Sequence, residues 1–297
     1  MSAAFGQKVE NVEEVTIRRA RPQDAQDCGQ ICYDAFFKIN AGHGFPPELP
    51  NAELAVGLLS NMFSHAGFWC VVAERNGRIV GSNCLDERSP VSGIGPITVE
   101  PAGQNHGVGR RLMQAALDRT RERKVPSVRL LQAAFHNRSL SLYTRLGFDA
   151  REPVSVMQGP PLKFAIEGCA VRPATLRDLD AANRVCERVH GHHRSGELSD
   201  GIASGKAVVV ERHGRITGYA SALAYFGHAV GESNLDLQAL IAAAEDFAGP
   251  GIIVPTRNSE LFRWCLEQGL RVVQPMTLMT IGLYNEPVGA YLPSVLY

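Results

Sequence analysis

The chain has 297 residues, 45% of them hydrophobic, which is enough apolar material to fill two ordinary cores. Thirty basic residues balance thirty acidic ones, so the charge gives no general attraction to nucleic acid or to an anionic membrane surface. Seven cysteines, odd in number and without a CxxC pair, argue against a disulfide framework, and no run approaches the roughly eighteen apolar residues of a membrane span.

The opening segment MSAAFGQKVENVEEV lacks an apolar stretch of signal-peptide length, so the expectation is a cytoplasmic protein with neither membrane nor nucleic acid as partner. In chain order, β-branched and periodic runs predict a strand over 16–19, helices over 23–38 and 48–64, and a hairpin over 71–81 turning at Asn76-Gly77. A strand over 94–99 follows, then a helix over 107–124, a strand over 128–134, a short helix over 138–146 and a strand over 154–158. Gly159-Pro160-Pro161 reads as a linker, dividing the chain into units 1–160 and 161–297. Beyond it, strands are expected near Cys169, Val208, Ile216 and Ile252, helices near Leu176, Leu235 and Ser259, and a last strand over 276–283. Each unit mixes strands and helices around a mainly antiparallel sheet, an α/β (α+β) class.

The two units are copies. VVAERNGRIVG at 71–81 returns as VVVERHGRITG at 208–218, with eight of eleven positions identical. Ile17-Arg18 and Asp24 return as Val171-Arg172 and Asp178, and Asn137 and Leu140 return as Asn258 and Leu261. The offset between copies falls from 154 at the first strand to 137 at the hairpin and 121 at the Asn, so the second copy has lost 17 and then 16 residues. The second loss falls on the most informative stretch of the first copy, VEPAGQNHGVGRRL over 99–112.

That stretch reads as an anion cradle of strand end, glycine-bearing loop and helix start. The amides of a helix's first turn lack intrahelical partners and carry the positive end of the macrodipole, and Gly107 and Gly109 let an anion approach beside Arg110 and Arg111. A dinucleotide fingerprint fits less well, lacking the third glycine and the following acidic residue, and there is no Walker-type Gly-Lys-Ser/Thr.

Gln104-Asn105-His106-Gly107-Val108-Gly109 resembles the (Gln or Arg)-x-x-Gly-x-(Gly or Ala) loop of the GNAT superfamily of acyl-CoA-dependent N-acetyltransferases. Asn137-Arg138-Ser139-Leu140-Ser141-Leu142-Tyr143, followed by Leu146-Gly147-Phe148, resembles that family's second signature. The resemblance carries motifs over 15–158 and rests mainly on the repeat over 169–284. It implies two tandem GNAT-like domains, each with a twisted sheet flanked by helices, and acetyl-CoA as cosubstrate.

The same resemblance implies site residues. Gln104 through Arg110 would hold the pyrophosphate. A bulge at Pro96 would splay the strand so that backbone groups in Ile97, Thr98 and Val99 pair with the pantetheine arm, the Ile97 amide polarising the thioester carbonyl. Asn137 would hold the pantetheine or cap the following helix. Tyr143, a phenol protonated at neutral pH, would donate a proton to the leaving thiolate.

A protonated amine acceptor also calls for a base, for which Asp86 and Glu87 at the end of the second hairpin strand are the candidates. His43, in AGHGFPP, is a candidate for the acceptor pocket, although a plain surface-loop role suits it better. His190, His192 and His193 lack an acidic or cysteine partner at ligand spacing, so no metal is expected, and no Cys/His signature supports a covalent route.

In the second copy no cradle survives, and Trp264, which cannot donate a proton as a phenol can, stands at the place of Tyr143. The function expected is acetyl transfer from acetyl-CoA to an amine of a small molecule or peptide by the first copy. The alternative is a non-catalytic acyl-CoA or metabolite sensor on the same fold; catalysis in the second copy is disfavoured. The terminal AYLPSVLY is apolar enough to dock on a neighbouring domain or on a second subunit, so a homo-oligomer stays open.

Overall fold

The computed structural model describes residues 15–104 and 106–297. The first copy runs β1 (Val15–Arg19), α1 (Ala25–Gly42), α2 (Ala52–Ser64), β2 (Phe68–Arg75), β3 (Arg78–Asp86), β4 (Ser92–Val99), α3 (Val108–Glu122), β5 (Ser127–Ala133), α4 (Asn137–Arg145) and β6 (Asp149–Gln158). The second runs β7 (Ala170–Pro173), α5 (Leu179–His190), α6 (Ser195–Ala203), β8 (Val208–Arg212), β9 (Arg215–Ala220), β10 (Ala229–Gly231), α7 (Asn234–Ala243), β11 (Ile252–Pro255), α8 (Ser259–Glu267), β12 (Arg271–Gly282) and β13 (Ala290–Leu292). Helix α6 and strands β10 and β13 were not anticipated from the sequence: α6 carries two glycines, and the strands have three residues each, too short for a periodic signal.

The repeat is structural to the level of single bonds. Arg18 spans Asp24 and Glu74 at 2.7 and 2.6 Å, and Arg172 spans Asp178 and Glu211 at 2.8 and 2.6 Å. Both hairpins turn through two residues of positive φ, Asn76-Gly77 and His213-Gly214, and both slip register at the same place, after Ala73 and after Val210.

The strands assemble as β1-β2-β3-β4-β5-β12-β6-β11 and as a second sheet, β13-β10-β9-β8-β7. Strands β6 and β12 are equivalents, each preceded by a glycine of positive φ, Gly147 and Gly269. They are exchanged: β12 lies between β5 and β6, while β6 lies between β12 and β11. Their mutual register brings Val154 opposite Met276, Pro153 opposite Thr277 and Ser155 opposite Pro275, the pattern of a local two-fold axis through two copies offset by 122 residues. Residues 160 and 161 fall in the connection after β6, and the sheet is continuous across the two copies.

Helix α3 shows how sequence spacing positions the site. Val108, Leu112, Met113, Ala116 and Leu117 form one buried stripe, with Arg110, Arg111, Arg121 and Lys124 kept off it. Leu112 and Met113 are fully buried, each contributing about 1.5–3 kcal/mol of transfer free energy, so the N-terminus of α3 is fixed against β4. The terminal segment docks within its own chain: Ala290, Tyr291, Leu292, Leu296 and Tyr297 are buried, and a Cβ at Gly93 would collide with the Leu296 carbonyl.

Candidate active site

Strand β4 pairs with β5 in parallel only at Ser92 and Gly93, and no pairing with β5 extends beyond them. Gly95 and Pro96, joined by a cis peptide, oppose the single residue Cys84 of β3 and form a bulge, so the missing N–H of Pro96 is not called on by the ladder. Gly95 has φ +149°, which a side chain rarely adopts. The gap opens into a cavity of about 790 Å³, with Ile94 to Val99 on one wall and Leu130 to Ala133 on the other.

The N-terminus of α3 stands at this cavity. Gly107 is its N-cap at φ +79°, and among the described residues no side chain caps it. Gln104 donates to the Val99 carbonyl at 3.2 Å and accepts from Arg138 at 2.7 Å, which sets a second guanidinium beside Arg110. Arg111 does not join them: it donates to the Val15 carbonyl and pins β1.

The cavity brings together most of the expected residues: Ile97, Thr98, Val99, Gln104, Gly107, Val108, Gly109, Arg110, Asn137 and Tyr143 all line it. His106 is exposed and does not, and Asn105 lies outside the described residues. Tyr143 is buried against Phe148, with ring centroids 6.1 Å apart, and desolvation raises its hydroxyl pKa, keeping it a proton donor across the physiological range. Packing and cavity-lining coexist in this residue.

Two expectations need correction. Asp86 and Glu87 do not reach the cavity. Asp86 is bound by Arg88 at 2.6 Å and Glu87 by Arg119 and Arg123 at 2.9 and 2.5 Å, so both carboxylates are taken up by arginines near in sequence or on α3 and the turn after it. Nor does Asn137 cap α4. The cap is His136, whose Nδ1 accepts from the Ser139 amide at 3.0 Å and whose pKa is lowered by burial, leaving the ring neutral.

A carboxyl that sequence reasoning missed does line the cavity. Glu48, just before α2, accepts from the Tyr225 hydroxyl and from Gln274 Nε2, both at 3.2 Å. Desolvation raises its pKa above the usual carboxylate range. Nothing local marks it, because its partners come from 177 and 226 residues away. His43 also lines the cavity, with its ring 5.3 Å from that of Phe135.

In the second copy the equivalent features are closed. Ser233 and Asp236 form a capping box on α7, and Asp236, fully buried, also accepts from Arg212 at 2.7 Å. Strand β13 pairs along β10 and packs beside β11, filling the side of β10 that faces the cavity in the first copy. Asn258, the counterpart of Asn137, is spent as the N-cap of α8.

A splayed strand, a helix start that no described side chain caps and a buried tyrosine meet on one cavity, within a stretch of the chain that is similar to the GNAT acetyltransferases. Residues 35–148 match the model of the "Acetyltransferase (GNAT) family". Among curated relatives, a mycothiol acetyltransferase of Cellulomonas flavigena is 32% identical over 143 residues, covering 43% of this chain and 40% of the relative, and one of Thermomonospora curvata is 36% identical over 101 residues, 33% of each. The chain therefore matches less than half the length of these relatives. A candidate acetyltransferase from Pyrococcus horikoshii has the same fold over 98% of this chain and 95% of its own, with TM-score 0.72 at 20% identity. A tandem GNAT protein from the clavulanic acid biosynthesis pathway superposes over 92% of this chain and 100% of its own, with TM-score 0.53 at 14% identity.

Among the described residues no helix is long and apolar enough to cross a membrane, and no group of three metal-ligating side chains is assembled.

Proposed function

We propose that the first copy, within a unit spanning residues 1–160, transfers acetyl from acetyl-CoA directly to an amine of a small molecule or peptide. The second unit, 161–297, is a non-transferring partner. The observation that carries this reading is the uncapped N-terminus of α3 opening on the cavity that Tyr143 lines.

In this reading the free amides of Val108, Gly109 and Arg110, with the Arg110 and Arg138 guanidinium groups, hold the pyrophosphate. Backbone groups of Ile97 and Val99 pair with the pantetheine arm as an added strand, and Asn137, relieved of capping by His136, is free to bond it. The Ile97 amide faces the thioester carbonyl and stabilises the oxyanion that forms when the amine attacks. As the C–S bond breaks, the Tyr143 hydroxyl protonates the thiolate and recovers a proton from the new amide nitrogen.

Calorimetric titration of acetyl-CoA into the full chain tests it. One site per chain is expected, and Tyr143→Phe should bind acetyl-CoA equally while kcat falls by about 10² or more. No binding would overturn the reading, and two sites per chain would show the second copy to be open. Tight binding with no thiol released over a broad amine panel would favour a sensor on the same fold.

A further inference from the structure

Around Glu48 the cavity is short of hydrogen-bond donors. The carboxyl oxygens receive donors from Tyr225 and Gln274, with Asn40 a third and weaker partner. Asn40 Oδ1 beside it is buried with no partner among the described residues, and Asn40 is 1% exposed; Gln274 Oε1 is also unpartnered among the described residues, but Gln274 does not line the cavity. Asn40 lines the cavity next to Glu48, and its own Nδ2 is committed to the Pro46 carbonyl at 2.9 Å. A buried acceptor left unmatched costs about 1–3 kcal/mol, so this arrangement is complete only when a donor-rich group enters.

The remaining walls are apolar and come from both copies: Phe36, Leu49 and Leu58 from the first, and Met276, Val295 and Leu296 from the second. Among the described residues Glu48 is the only acidic one on the cavity, whereas Lys38, Arg110, Arg138 and Arg145 also line it.

We propose that Glu48 and Asn40 form the acceptor subsite for a primary ammonium carried on an apolar body, with Gln274 and Tyr225 orienting the Glu48 carboxylate, which is the base that frees the amine for attack. This deepens the acetyl-transfer reading above and rests on it. An ammonium offers three N–H donors and accepts nothing, which matches one carboxylate and the orphan Asn40 carbonyl oxygen; an alcohol offers one donor, and a carboxylate none. A divalent cation would need about six to eight oxygen ligands, more than this cluster supplies. With a single acid among the described lining residues and four cations on the same cavity, a second ammonium has no partner there, so polyamines are poor acceptors.

The proton balance is complete. The ammonium gives one proton to Glu48, and the neutral nitrogen attacks the thioester carbonyl. The C–N bond forms, the C–S bond breaks, and the thiolate takes the Tyr143 proton. The nitrogen's second proton restores Tyr143, and Glu48 releases its proton to water. Desolvation, which holds the Glu48 pKa up, makes its carboxylate a stronger base than one in water. Because Gln274, Tyr225 and the tail all lie in the second copy, that copy builds the acceptor site although it has no cradle of its own.

The experiment uses the full chain with acetyl-CoA and the probes 2-phenylethylamine, hexylamine, 2-phenylethanol and spermidine, following thiol release and product mass, with acetyl-CoA affinity measured separately. The two monoamines should be acetylated in preference to the alcohol and to spermidine. Glu48→Gln should lower kcat/KM for them by about 10²–10⁴ with acetyl-CoA affinity unchanged, and Glu48→Asp should retain more activity than Glu48→Gln. Acetylation of the alcohol or spermidine in preference to the monoamines would overturn the subsite. So would a Glu48→Gln rate within about threefold of the parent, or acetyl-CoA binding with neither monoamine acetylated. Loss of acetyl-CoA binding in the parent chain would instead sink the acetyl-transfer reading itself, and the probe selectivity needs no variant to fold.

Discussion

Helices α3 and α7 are counterparts in a duplicated chain, yet one begins open and the other closed. The α3 start has Gly107 as N-cap and Arg110 three residues on; the α7 start has Ser233 and, three residues on, Asp236. A carboxylate at that position occupies the same amides that an anionic ligand would use, and it satisfies the dipole from within the chain. The neighbouring strands tell the same story: β4 leaves β5 after two paired residues, while the space beside β10 is taken by β13. Absence of an open cradle in a duplicate need not loosen the fold: here the helix is capped and the gap is filled.

The largest effect that sharpens the contrast is on acid stability. Closure of the second copy buries His190 and His228 with both ring nitrogens unpartnered among the described residues, and His192 beside them. Burial lowers all three pKa values, that of His192 to about 3, reinforced by Arg194 at each ring and by Arg129 at His190 and His192. In the unfolded chain these rings titrate near 6.5, so below that pH the unfolded state binds more protons and stability falls as pH falls. Each histidine contributes up to about 1.4 kcal/mol per pH unit, so denaturant unfolding at pH 5.5 should show a loss of roughly 4 kcal/mol from the pH 7 value. The carboxylates Asp24 and Asp178, whose pKa values are lowered by Arg18 and Arg172, act only at lower pH, and raised Glu48 acts with the opposite sign. A flat stability profile between pH 7 and 5.5 would mean that the cluster is not buried neutral.

Next in size is Arg110→Asp, which gives α3 the acid that α7 has. Acetyl-CoA affinity should fall by about 10²-fold, from the loss of one charge-assisted contact and the gain of a repulsive one, while thermal stability is kept or raised. Unchanged affinity by calorimetry would mean that the cradle does not hold the pyrophosphate.

The smallest contrast is between equivalent asparagines. Asn258→Ala removes a cap and should cost about 1 kcal/mol in denaturant unfolding, whereas Asn137→Ala removes none and should change stability by less than about 0.5 kcal/mol while weakening acetyl-CoA binding. Equal destabilisation by the two would erase the distinction between a cap and a ligand-holding residue.

The parts of the site legible in sequence are those written locally. A helix start, a bulge at Pro96 and a tyrosine two turns along α4 each lie within one short segment, and the resemblance of those segments to a known family brought them together as one expected site. That Asp86 and Glu87 lie off the cavity was not legible, because a carboxylate at a strand end is not marked as paired, and the arginines that claim them include Arg119 and Arg123 beyond the intervening strand. Asn137 and His136 were interchanged as caps because adjacent residues differ in sequence by nothing that says which side chain turns back onto the helix.

By itself the sequence showed the duplication, the absence of a second cradle and the family resemblance of the first copy, since hairpin turns, helix caps and glycine loops depend on neighbours within a few residues. Only the tertiary structure decided that β6 and β12 change places, that β13 fills the second gap, and that Glu48 meets Tyr225 and Gln274. Those contacts join residues more than a hundred positions apart, and burial selects them only after both copies have closed on one sheet.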